Sequence, residues 1–149
     1  MLDQLDLKIC AIVGKSGAGK DSVYELAFKP HGFIRLQMSL HYKIWLVATG
    51  RATWEEVFVT KPPRVRKILQ EEITQPRYDH DEEIWVRVLY NWIRALDEIV
   101  GVQTDRIAVT DMRFLVEIRA LKNIGAKILN IESYDQKDNI APELRSHRS

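Results

Sequence analysis

The sequence contains one cysteine, Cys10, so no disulfide can close within the chain. That cysteine lies in an apolar run, where a thiol acts as a small hydrophobe and fits a reducing compartment such as cytoplasm. Long hydrophobic stretches are also missing. Nothing approaches the roughly 20 apolar residues of a membrane-spanning helix, which reads against a membrane partner. The first ten residues carry three charges (Asp3, Asp6 and Lys8), which reads against a secretory signal. Neither sign of charge dominates: 22 Lys and Arg face 21 Asp and Glu. No global field therefore draws the protein to a nucleic acid polymer, and any anion site must come from local placement of positive groups. The four histidines, His31, His41, His80 and His147, lack metal-ligand spacing, which reads against a structural zinc. Repeats and low-complexity linkers are absent as well.

What remains is the composition of one globular domain. The chain has 149 residues, 46% of them hydrophobic and 29% charged, enough to bury a core of its own. Leu7 to Val13 is a short apolar run without strict alternation, as in a strand buried on both faces. A helix is predicted from Gly19, stopped by Pro30, followed by a strand over Phe33 to Met38. Leu40 to Thr49 reads as a helix closed by Gly50. Thr53-Trp54-Glu55-Glu56 matches a capping box, and Pro62-Pro63 opens a helix over Arg64 to Ile73. Asp81 to Val100 carries a wide apolar stripe at helical period, from Ile84 and Trp85 to Ile99 and Val100. Arg106 to Thr110 is a third strand, Phe114 to Ile124 a helix stopped by Gly125, and Lys127 to Ile131 a fourth strand. Strands alternating with helices predict an α/β parallel sheet covered on both faces. Residues 40–100, with no convincing strand, read as a helical insert forming one wall of a cleft.

The most specific motif is Gly14-Lys15-Ser16-Gly17-Ala18-Gly19-Lys20-Asp21-Ser22. Two glycines four residues apart and then a lysine, between a strand and a helix, fit a phosphate-binding loop. Glycines let the backbone approach phosphates, successive amides point inward, and the helix start adds partial positive charge. Lys20 would reach the β and γ phosphates of ATP. A hydroxyl usually follows that lysine and helps hold Mg²⁺; here Asp21 intervenes and Ser22 comes next. The plainer alternative is a glycine-rich turn that merely starts a helix.

The form Gly-Lys-Ser-Gly-Ala-Gly-Lys-Asp-Ser resembles the deoxynucleoside monophosphate kinases of bacteriophages. Val109-Thr110-Asp111-Met112-Arg113-Phe114, followed by Glu117, is similar to that family's Asp-x-Arg-Phe segment. Arg66-Lys67-Ile68-Leu69-Gln70 and Ile84-Trp85-Val86-Arg87 are similar to its middle helices. Together these span residue 7 to about 131 of the chain. Departures are Leu115-Val116 where the family has Pro-Asn, and Ser39-Leu40-His41-Tyr42-Lys43, a loose echo of Asp-Pro-Leu-Lys. Arg145-Ser146-His147-Arg148-Ser149 resembles the start of a His-x-Ser-Glu segment that in the family leads to a fifth strand; a truncated chain or a different finish to the sheet would account for this.

The resemblance implies a three-layer P-loop fold with a helical acceptor-binding insert at 40–100 and a lid at 133–149. It implies transfer of the γ-phosphate of ATP, with Mg²⁺, to a (deoxy)nucleoside monophosphate, in cytoplasm (a host's, if phage-encoded), by a monomer or homodimer. Lys20, Asp111 and Arg113 would be catalytic, and Ser22 and Asp111 would hold the metal. Arg35, Gln70, Trp85, Arg87, Arg113 and Arg145 would meet the acceptor. Most of these have a plainer alternative. Asp111 also suits a helix N-cap; Arg113, a surface ion pair; Arg87, a charge at the edge of an apolar stripe; Trp85, a core anchor; Gln70, a solvated surface; Arg145, a frayed terminus. Two rival functions remain: a kinase for another small phosphorylated acceptor, of the phosphomevalonate type, and a nucleotide-binding module without turnover.

Overall fold

The computed structural model describes residues 8–15 and 17–132. Ser16, Arg145 and the expected lid at 133–149 lie outside the described residues. Four strands, β1 (Lys8–Gly14), β2 (Ile34–Leu36), β3 (Arg106–Val109) and β4 (Lys127–Ile131), form one parallel sheet in the order β2-β3-β1-β4. The helices are α1 (Lys20–Val23), α2 (Leu40–Ala48), α3 (Pro63–Asp79), α4 (Ile84–Ala95) and α5 (Leu115–Asn123).

Period-two alternation sends strand side chains to opposite faces, and each face finds its own cover. Ile9, Ala11 and Val13 of β1, with Ile107 and Val109 of β3, join a large core that includes Leu46, Val65, Leu89, Ile93 and Leu121 from the helices. Ile12 and Ala108 face the other way, against Val23, Tyr24 and Phe28. The sheet is thus covered on both sides, and the helical stretch 40–100 shares the sheet's main core rather than building a separate one.

Several element ends differ from the sequence expectation. The first helix does not stop before Pro30: α1 passes into a π-helical turn, Tyr24–Phe28, and a 3-10 turn, Lys29–His31. Proline is tolerated in the first turn of that last piece, where its missing N–H has no partner to lose, and Gly32 ends the path at φ 79°. β2 is shorter than predicted because Met38 and Ser39 already bend toward α2. α3 runs on through Pro76 to Asp79. α4 starts later than Asp81 because the Asp81 carboxylate caps the Glu83 amide at 2.8 Å, and it ends in a π-helical turn, Leu96–Val100, with Gly101 at φ 79°. The Thr53–Glu56 capping box forms in both directions, at 2.9 and 3.2 Å.

The chain leaves β1 for β2 on the far side of β3, and leaves β3 for β4 on the far side of β1. The strand order therefore reverses between β1 and β3. Open α/β sheets take ligands outside the carboxyl ends of strands at such a switch.

Candidate functional site

Two segments issue from that switch: the loop 14–20 after β1, and Thr110 to Arg113 after β3. At the first, Gly14 pairs with Ile131 so closely that a Cβ would lie 2.7 Å from the Ile131 carbonyl oxygen. Gly17 and Gly19 take φ of 83° and 98°, the left-handed region that favours glycine. The Ala18 amide donates to the Lys15 carbonyl at 3.0 Å, and the Val23 amide to Gly19 at 2.9 Å. The loop thus curls into the start of α1. Lys20 turns back over it, its Nζ donating to the Gly14 carbonyl at 2.9 Å. Burial lowers the pKa of this ammonium; Asp111 and Asp21 oppose that shift, while Arg113 and Lys61 add to it.

Lys43, one turn into α2, is a second partly buried ammonium. It donates to Gln37 Oε1 at 2.7 Å. Burial again lowers its pKa, opposed by Asp111 and reinforced by Lys61, Arg113 and Arg35. The Lys61 and Arg113 charges lower the pKa of both lysines. Among the described residues neither Lys61 nor Arg113 forms an ion pair with a carboxylate. Lys61 also holds φ 49° and ψ 59° directly before Pro62, although a following proline pushes a residue toward extended backbone. Backbone strain of this kind concentrates where function needs a side chain in one place.

The nearby carboxylates are already engaged. Asp21 pairs with an Arg35 guanidinium nitrogen, while Arg35 Nε donates to Thr110 Oγ1 at 2.9 Å. Asp111 accepts from the Met38 amide (2.8 Å), the Ser39 amide (3.1 Å) and Ser39 Oγ (2.8 Å). It caps the start of α2, across the sheet, rather than its own following helix. Each oxygen of a carboxylate has two acceptor positions, so Asp111 keeps some capacity for a further ligand. No family model matches the chain, and no curated protein matches it.

Among the described residues no cluster of three His, Cys, Asp or Glu side chains could hold a metal unaided. Magnesium commonly takes only one or two protein oxygens and completes its shell with phosphate and water. Ser22, exposed on α1, and Asp111, with its residual capacity, each offer an oxygen of that kind.

The remaining candidates are scattered. Lys15 and Ala18 belong to the loop. Trp85 is 4% exposed, sits in the main core, donates its indole N–H to the Ile73 carbonyl at 2.7 Å and meets the His41 ring. Arg87 is exposed and grips Asp81 with both guanidinium nitrogens, one at 3.0 Å. Gln70 is exposed on α3. Lys43 and Lys61 were missed by sequence reasoning; a weak signal existed in the Ser39–Lys43 echo, and none for Lys61 beyond its place before two prolines. No helix among the described residues is long and apolar enough to cross a membrane.

Proposed function

We propose that the chain is an ATP-dependent phosphotransferase with a three-layer P-loop kinase fold, moving the γ-phosphate to a (deoxy)nucleoside monophosphate and yielding the diphosphate. The observation that carries this reading is the curled loop at the strand-order switch with Lys20 folded over it, its charge felt by Arg113 and Lys61. The motif resemblance to phage deoxynucleotide kinases supplies the acceptor class and the cytoplasmic setting.

Phosphoryl transfer asks a protein mainly to align two anionic groups and neutralise their charge. The loop amides and Lys20 seat the donor's β and γ phosphates. Lys43 and Lys61 hold the acceptor's phosphate, and Arg113 lies near both lysines, where charge develops on the transferred group. Positive groups crowded in a partly buried place repel one another, so anions relieve a cost already present in the free protein. Ser22 and Asp111 would hold Mg²⁺, which would supply positive charge to offset the phosphates. Asp111 aligns α2 against the end of β3 and so sets where Lys43 sits; Asp21 does the same for Arg35.

Mixing the protein with labelled ATP, Mg²⁺ and a panel of ribo- and deoxynucleoside monophosphates tests the proposal. Labelled diphosphate is the expected product. Transfer only to another phosphorylated small molecule would move the acceptor class, and ATP binding without any transfer would favour a binding module.

A further inference from the structure

Glu117 is the one acidic side chain in the buried set of the described residues, 2% exposed at the third position of α5. None of the roles assigned above uses it. Its Oε2 accepts from the Phe114 amide at 3.3 Å and from the Arg113 amide at 3.5 Å. This is half of a capping box; Phe114 has no acceptor with which to reciprocate. The ring of Phe114 carries the Arg77 guanidinium, from the last turn of α3, 3.5 Å from its centroid. One carboxyl group therefore sits under the turn that presents Arg113, with α3 clamped to the same turn through Phe114.

Charge and burial act against each other here. Burial raises the Glu117 pKa to about 7; the Phe114 and Arg113 amides and the Arg77 charge lower it, and Asp111 raises it. Arg77 and Asp111 are the charged side chains acting on it. Ionised, the carboxylate offers acceptors to both amides. Protonated, one oxygen becomes a donor, and the hold on the two amides weakens.

We infer that Glu117 is a positioning residue: its carboxylate fixes the turn that aims Arg113 at the cleft, and loss of that charge on protonation loosens the turn. The consequence for transfer rests on the kinase reading of Arg113; the coupling between Glu117 and the two amides does not. Glu117→Gln is neutral like the protonated acid and cannot titrate, so the turn stays at every pH in the looser state that the wild-type protein reaches only in acid. Glu117→Leu fills the space without an acceptor, so the turn is loose at every pH.

The test follows the Arg113 and Phe114 amide resonances of the full chain between about pH 5 and pH 9, with phosphoryl transfer measured in parallel. In the wild-type protein both resonances should move together with a midpoint near 7, and both should stay flat in Glu117→Gln. The kcat should fall about tenfold below that midpoint in the wild-type protein and at all pH values in Glu117→Gln and Glu117→Leu, with the acceptor KM changing less. Resonances that do not titrate, or that titrate equally in Glu117→Gln, overturn the inference. Absence of any transfer would defeat the kinase reading alone, because the amide titration still decides the coupling.

Discussion

Replacing Gly14 with alanine tests the geometry of the loop at its most constrained point. The added Cβ would stand 2.7 Å from the Ile131 carbonyl oxygen and 3.4 Å from the Ala18 Cβ. Carbon–oxygen approaches in sheets sit near about 3.3 Å, so the β1 and β4 backbones must part by about 0.6 Å. No rotamer change relieves a clash against backbone. Overpacking of this kind costs about 1–3 kcal/mol. The same carbonyl of Gly14 that must shift also receives the Lys20 ammonium at 2.9 Å, and disturbing a charge-assisted hydrogen bond costs about 1.5–3 kcal/mol. Urea unfolding should therefore show Gly14→Ala destabilised, and titration with a non-hydrolysable ATP analogue should show affinity reduced about tenfold or more. Gly50→Ala is the control: it sits at φ 75° with nothing within 4 Å of a built Cβ, so it pays about 1–2 kcal/mol for left-handed backbone with no effect on the nucleotide. A Gly14→Ala protein that matches the wild type in both unfolding midpoint and affinity would refute the reasoning.

Other consequences can be measured on the folded protein. Because the Glu117 pKa is higher in the folded state than in the unfolded chain, its stabilising contribution is full below about pH 4.5 and is lost as pH rises through about 7. Glu117→Gln should thus gain on the wild type across that window, by up to about 3 kcal/mol at alkaline pH, read from denaturation midpoints at several pH values; a gap independent of pH would contradict this. Asp111→Ala removes the acceptor for Met38 and Ser39 and should cost about 1–3 kcal/mol, with faster hydrogen exchange at those two amides. Trp85→Phe loses the indole bond to the Ile73 carbonyl and should cost about 1–3 kcal/mol while leaving nucleotide affinity unchanged.

Local chemistry was readable before any coordinates. The apolar run before Gly14 became a central strand, the alternation of strands and helices became a parallel sheet covered on both faces, and the Thr53–Glu56 box formed as its spacing demands. These features depend on neighbours in sequence. Residues whose roles depend on distant partners were not readable. Lys61 acts on the Lys43 charge although the two are far apart in the sequence. Asp111 could be named from its place at a strand end, yet its partners, Met38 and Ser39, lie more than seventy residues earlier. Trp85 and Arg87 share a helix and a motif, and tertiary packing sends one into the core and the other to solvent. The π-helical turns at Tyr24–Phe28 and Leu96–Val100 left no periodic signature distinct from ordinary helix.

The central claim is that the loop after β1 seats a triphosphate under the Lys20 ammonium. Calorimetric titration of ATP with Mg²⁺ into the wild-type protein and into Lys20→Met tests it most directly. Saturable binding to the wild type, weakened about ten- to a hundredfold in a Lys20→Met protein that still unfolds cooperatively, is the expected result. Equal affinity in the two proteins, or no binding to the wild type, would contradict it.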